Sequence, residues 1–475
     1  MQGLERLKTK LCSNDVIPQC NRTPFQCSEN SNGIFMMHRS RVGSDIPLDQ
    51  MYGNPAVTKW RQLEDVSLYN DLTYRQEVIT IPHETEELAA EFFDELKPVF
   101  YSMKILGLFP LQRRNPSEPF RRCILSLLYS ILFYFAMNLY AYHVSRVRIE
   151  FITSSEASFD ELMYSVVHFL YVMPHFYVIP CHWKEVTKVG RYFNLWSDFQ
   201  KQFFTVTGKQ LYLGQKRRAR ICVVLIPVLA LLFVLIEFFM SSANEQIWEL
   251  GFYWYIFVMI LQHVAWWWLV CSCLRGAIAS LSTNFFKDPS IFVNERSAPI
   301  VAQYRALYMS LARLSRETGL FMCYTYGHWC ALCFSVETLS LYGTLSNIHD
   351  GMYMKHLGLA MSVCTLAGML YIIVNSAHHA ANEVGTEFSE KLSQLFSNDK
   401  QVRRELKIFT QVMTVHSSDI NLGGYVKINR KFLLRFTCTL VTYLVVLLQF
   451  RLGLLSINTS NFTTVPSAQT AITYL

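Results

Sequence analysis

Apolar residues in this chain follow two patterns, long uninterrupted runs and stripes at helical spacing. The runs are Cys123–Tyr142, Leu162–Cys181, Ile221–Met240, Leu250–Leu274, Gly319–Leu345, Leu357–Asn375 and Phe432–Ile457. Each is near the ~20 residues that an α-helix needs to cross a bilayer core. Charge enters only the third, fifth and seventh runs; Arg435 and Arg451 of the last lie near its ends, where a long side chain reaches the interface. The pattern predicts an all-α, polytopic membrane protein with seven transmembrane helices.

The stripes predict helices outside the spans. Leu88, Phe92, Leu96, Val99, Phe100 and Met103 recur at helical spacing between Glu87 and Leu108, as expected of an interfacial helix before the first span. Val301, Tyr304, Leu307, Leu311 and Leu314 form a stripe that leads into the fifth span without a break. Between the sixth and seventh spans, Val384, Phe388, Leu392, Leu395 and Phe396 mark one amphipathic stretch and Val402, Leu406, Phe409 and Met413 another. Such faces must bury against something, so a helical anchor is expected, within one subunit or between subunits. Residues 1–85 lack a sustained period and are rich in Ser, Asn and Gly around Ser28–Gly33, which predicts a largely disordered tail. The chain therefore divides into that tail, a ligand-sensing part over 86–378, the anchor loop 379–431, a last helix over 432–457 and a C-terminal tail 458–475.

Charge gives direction. Lys and Arg number five in the stretch 104–122 leading into the first span (Lys104, Arg113, Arg114, Arg121, Arg122), nine between spans two and three, six between four and five, and eight between six and seven. The opposite side carries four, Arg146, Arg148, Lys355 and Arg451. Cytoplasmic loops hold the excess, so the N-terminus is expected in the cytoplasm and the C-terminus outside. Sequons at Asn458 and Asn461 agree, because glycans are added only in the lumen; the sequon at Asn21 is expected to stay bare. MQGLERLKTK has no apolar stretch or cleavage site after it, so no signal peptide is expected. With 51% hydrophobic and 17% charged residues the composition fits a membrane protein, and the net charge of +7 comes from the basic loops without a nucleic-acid partner. Most of the 13 cysteines lie in apolar runs and read as packing residues.

Few residues suggest chemistry. No phosphate-binding loop, His-Glu-x-x-His or nucleophile motif is present, so neither an enzyme nor a cofactor is expected. The pair His378 and His379 with Glu383 has helical spacing for a metal site yet lacks a third convincing ligand, and no metal site is assigned. The orientation opposes a G-protein-coupled receptor, and no internal repeat suggests a transporter. Glu237 and Glu337 are the acids inside spans, where a carboxylate is costly enough to be a functional candidate. Tyr253, Trp254, Trp266, Trp267 and Trp268 flank the fourth span as membrane-anchoring belts. The outer loops are short, so a ligand has to enter between helices; Tyr164, His168, Trp329 and Glu337 are the expected pocket residues, assigned to the outer halves of spans two and five.

The last span contains Thr442-Tyr443, five hydrophobic residues and Gln449-Phe450. This resembles the signature of insect gustatory receptors, and together with seven spans and a long helical loop before the last one it covers about residues 87–455. The resemblance implies a ligand-gated, non-selective cation channel of four subunits, with the last helix lining a central pore in the plasma membrane of sensory neurons. Its partners would be a small-molecule or gas ligand, permeating cations, membrane lipid, and itself or sister subunits. Tyr443, Val446, Phe450 and Gly453 share one helical face, so Tyr443, Val446, Gln449 and Phe450 are the expected pore and gate. The run Phe100–Pro110 is similar to the carbon-dioxide receptor branch, which works as a heteromer; sugar, bitter and odorant receptors are the alternatives.

Overall fold

The computed structural model describes residues 91–113, 119–153, 159–240, 247–287, 297–348 and 353–463, with side chains at some segment ends, including all beyond Arg451, left outside. Residues 1–85 with Asn21, and the side chains of Gly453, Asn458 and Asn461, therefore lie outside the described residues. Among the described residues the order is α1 (Glu91–Ile105), β1 (Leu111–Gln112), β2 (Arg121–Arg122), α2 (Ile124–Thr153), α3 (Phe159–Thr207), α4 (Lys216–Met240) and α5 (Ile247–Phe286). Then follow α6 (Ser297–Thr318), α7 (Cys323–Ile348), α8 (Tyr353–Asn382), a π-helical turn (Glu383–Glu387), α9 (Phe388–Ser393), α10 (Lys400–Val415), β3 (Asn421–Leu422), β4 (Val426–Lys427) and α11 (Arg430–Thr463). Both strand pairs are antiparallel.

Every apolar run is helical, as α2, α3, α4, α5, α7, α8 and α11. All but α7 are long and apolar enough to cross a membrane. Helix α7 has 26 residues and is more polar. It packs against α3, α8 and α11, and its Thr325, Glu337 and Ser340 are buried in protein rather than turned to lipid. Helix α3, with 49 residues, is about 74 Å long at the standard rise, and α5, with 40, about 60 Å, against a hydrocarbon core of ~30 Å. The surplus extends past the end of the bundle that carries the basic connections, here called the basic end. Pro180 inside α3 leaves the Phe176 carbonyl without its helical donor, and the Tyr134 hydroxyl of α2 donates to it at 3.3 Å.

At the basic end, the predicted stripes find one another within a single chain. The α6 stripe and the α10 stripe are buried, as are Val384, Phe388 and Leu392. Phe285, Tyr308, Phe388 and Phe409 form a ring cluster, with Tyr308 stacked on Phe388 at 5.3 Å. Asp399 caps α10 by accepting from the Gln401 N–H at 2.7 Å. Phe396 departs from expectation: it follows the end of α9, where helical spacing no longer applies, and is exposed with the Arg403 guanidinium 5.0 Å from its ring centre.

Three further expectations are corrected. The stripe of α6 does not run unbroken into α7; a turn at Gly319–Met322 separates them. The β3–β4 hairpin occupies that break, so closely that a Cβ on Gly319 would fall 2.1 Å from the Asn421 carbonyl oxygen. Helix α1 does not turn its stripe to lipid: Phe92, Leu96, Val99, Phe100 and Met103 are buried against α3, α4 and α5, and Glu95 accepts from the Gly214 (2.8 Å) and Gln215 N–H groups just ahead of α4. Trp266, Trp267 and Tyr253 are no belt, because α5 is the central helix; the two indoles are fully buried, and Trp267 Nε1 donates to the Ile373 carbonyl at 3.0 Å.

Candidate functional site: a cavity between four helices and the last helix

Opposite the basic end, four helices leave a narrow cavity of about 30 Å³, partly open to the surroundings. Each contributes one face. Helix α3 presents Tyr164, Val167, His168 and Tyr171, at spacings of three, four and seven that place them on one side. Phe233, Val234, Glu237 and Phe238 come from α4, Glu249, Leu250, Tyr253 and Phe257 from α5, and Gly358, Leu359 and Ser362 from α8. Aromatic rings make the walls: Tyr164 and His168 lie 4.2 Å apart, Tyr253 meets His168 edge-on at 5.6 Å, and Phe257 bridges Tyr171 at 5.2 Å and Phe233 at 4.3 Å. Polar atoms are few and placed. His168 Nδ1–H donates to the Tyr164 carbonyl at 3.0 Å. The Tyr171 and Ser362 hydroxyls bond to each other across the α3–α8 boundary. Glu249 is held by Arg148 of α2 at 2.7 Å in a buried ion pair. Mostly apolar walls with a few fixed polar groups are the composition of a small-molecule site.

Two of the four expected pocket residues, Tyr164 and His168, line this cavity. Trp329 and Glu337 do not. Trp329 is six residues into α7, about 9 Å from its basic end, not in the outer half. Its ring sits by His263 at 5.5 Å and Tyr177 at 6.5 Å. Glu337 lies deeper along α7 and is buried, with one carboxylate oxygen lacking a partner among the described residues, but α7 contributes no lining residue. Glu237, the other intramembrane acid, is in the lining. Glu249 and Arg148 escaped as site candidates because each lies beyond a span end and Arg148 was counted with the loops; a charge of each sign within two turns of two span ends was the available signal. No group of three His, Cys, Asp or Glu side chains is placed to hold a metal among the described residues. Glu383 is instead paired with Arg275 at 2.6 Å, and His379 Nε2 lies 3.2 Å from Arg430.

Helix α11 packs against α7 and α8 along one side. Phe334 of α7 stands edge-on to both Phe436 (5.5 Å) and Tyr443 (5.6 Å). Much of its remaining surface up to Arg451 has no cover among the described residues. Tyr443 is 54% exposed, Val446 40% and Phe450 68%, and Gln449 is exposed beside them.

The sequence profile of 7tm chemosensory receptors matches residues 96–453, about three quarters of the chain. The chain belongs to that family. The receptor is 29% identical over 365 residues to gustatory and odorant receptor 24 of Anopheles gambiae, covering 76% of this chain and 79% of that one. It is 26% identical over 387 residues to gustatory and odorant receptor 21a of Drosophila melanogaster, covering 80% and 84%. Its fold is similar to the insect olfactory receptor OR5 from Machilis hrabei, with a TM-score of 0.51 at 13% identity over 74% of this chain and 97% of that one. The receptor is thus a multi-pass chemosensory protein, not a member of an enzyme class.

In the receptor, the foot of α11 is tied to the rest of the chain through the β3–β4 hairpin. Ser315 of α6 donates to the Ser418 carbonyl at 2.6 Å, and the Ser418 hydroxyl donates to the Ala381 carbonyl of α8 at 3.0 Å. Gly423 N–H reaches the Gly319 carbonyl at 3.4 Å, and Ile428 N–H the Ile420 carbonyl at 3.0 Å. Positive φ at Gly423 (59°) and Gly424 (82°) lets the hairpin turn there.

Proposed function

We propose that the receptor is a subunit of a ligand-gated, non-selective cation channel in which α11 lines the pore. The observation that carries this reading is the uncovered apolar face of α11, which coincides with the Thr442-Tyr443 and Gln449-Phe450 signature. Four copies around an axis would bring Val446 and Phe450 into a hydrophobic constriction that closes by dewetting, with Gln449 offering polar atoms to a hydrated ion once it opens. A small molecule or gas binds in the four-helix cavity, where Tyr164 and His168 are contact residues. Helix α8 both lines that cavity and packs on α11, so it is the direct route from ligand to pore.

The Lys and Arg excess supports a cytoplasmic basic end, a cytoplasmic N-terminus and an extracellular C-terminus, and the likeness to gustatory receptors supports a place in the plasma membrane of sensory neurons. The likeness of Phe100–Pro110 to the carbon-dioxide branch supports carbon dioxide as the ligand and assembly with sister subunits. The test is current recording in cells expressing the chain alone and with sister receptors. Phe450→Ala or Phe450→Ser is expected to raise ligand-independent current several-fold, and Gln449 variants to alter conductance or ion preference. Unchanged basal current and permeation in both, with the protein at the surface, would remove α11 from the pore.

A further inference from the structure

We propose that the cavity recognises small neutral molecules through a hydrogen-bond-accepting oxygen, and that the Tyr171–Ser362 hydroxyl pair is the group that reads it. This rests on the cavity being the ligand site. Both residues line the cavity, and both are more than nine-tenths buried. Two hydroxyls bring two hydrogens. One is used in the bond between them; the other has no acceptor among the described residues, since neither side chain makes a further hydrogen bond.

A donor buried without an acceptor is unfavourable, and a ligand oxygen placed against it removes that penalty. A hydrocarbon of the same shape fills the space and leaves the hydrogen unmatched. Beside the pair lie apolar walls, with Phe257 against Tyr171 and Val167 and Leu359 in the lining, so the carbon skeleton has surfaces to fill next to a fixed donor. Sites built to bond one polar group discriminate strongly against analogues lacking it. The favoured class is therefore ketones, aldehydes and esters over matching alkenes and alkanes.

The experiment compares shape-matched pairs, cyclohexanone with methylenecyclohexane and 2-heptanone with 2-methyl-1-heptene. Half-maximal concentrations are read from currents of the full chain, alone and with sister receptors. The ketone of each pair is expected to be at least about tenfold more potent, a ratio that falls to about threefold or less in Tyr171→Phe and in Ser362→Ala. Equal potency within the pairs, or a ratio unmoved in both variants, overturns the proposal. So does silence toward every compound when Phe450→Ala shows that the channel can conduct. Leu359→Trp, which fills the cavity, separates the two levels of the argument: if it leaves ketone responses intact at normal surface expression, the cavity itself is not the ligand site.

Discussion

In their most apolar windows α5 and α11 have mean hydropathies of 1.7 and 1.8, yet 83% of the α5 window is buried inside the chain and 6% of the α11 window. Hydropathy alone does not tell these helices apart, because lipid and protein interior are equally apolar. What differs is side-chain size and partner. Helix α5 carries Trp266, Trp267, Phe252 and Tyr255 toward neighbours on all sides, and its Trp267 indole is held by the Ile373 carbonyl of α8. Helix α11 carries Thr437, Thr439 and Thr442, whose hydroxyls bond back to its own carbonyls, and its Val and Phe faces are left open. A helix that satisfies its own polar groups can exchange one apolar neighbour for another, which α5 cannot.

The comparison predicts a graded series. Trp267→Ala should be the most damaging, destabilising the fold by about 3–5 kcal/mol through a core cavity and the loss of the indole's hydrogen bond to the Ile373 carbonyl. Thermal unfolding of the solubilised protein and surface labelling measure it; near-normal values for both would show that α5 is not the structural centre. Arg148→Met should cost about 3 kcal/mol by leaving Glu249 buried without its partner, and Arg148→Met with Glu249→Leu should recover part of the loss. Additive damage in the double variant would mean that the pair is not coupled.

Val446→Ala on α11 should change unfolding by about 0.5 kcal/mol or less, as expected for a site without cover in the chain. A fall in melting temperature comparable with that of a core variant would place Val446 in a packed interior and erase the contrast. Smallest of all is Asn458→Gln with Asn461→Gln: no change in stability, but loss of a glycosidase-sensitive mobility shift. Glycan at Asn21 instead would reverse the proposed orientation.

The seven helices were legible in the sequence because an apolar run of span length has few other uses, and the anchor stripes because α6 and α10 each show one face only. Depth was harder to read. Trp329 was assigned to the outer half, but its helix begins at Cys323, after a turn that the unbroken stripe through Leu314 concealed. That turn depends on Asn421, a hundred residues away, meeting Gly319, a contact with no local signal. Tyr164 and His168 were singled out as polar aromatic residues in the outer half of the second span, and both line the cavity. The Tyr171–Ser362 bond joins residues 191 apart in the chain, and a lone Ser in an apolar run carries no mark of its partner.

The clasp at the foot of α11 also fixes how that helix can move. Hydrogen bonds to Ser315 of α6, Ala381 of α8 and Gly319 of the turn between α6 and α7 hold the hairpin and the segment ahead of it, whereas α11 up to Arg451 is largely exposed. A rod fastened at one end swings rather than slides. Phe450 stands twenty residues beyond Arg430, a lever arm of about 30 Å, so a tilt of about 5° at the root carries the aromatic ring some 2–3 Å sideways. In the proposed four-subunit channel, a change too small to disturb the fastened ends would still widen the constriction by at least roughly the diameter of a water molecule.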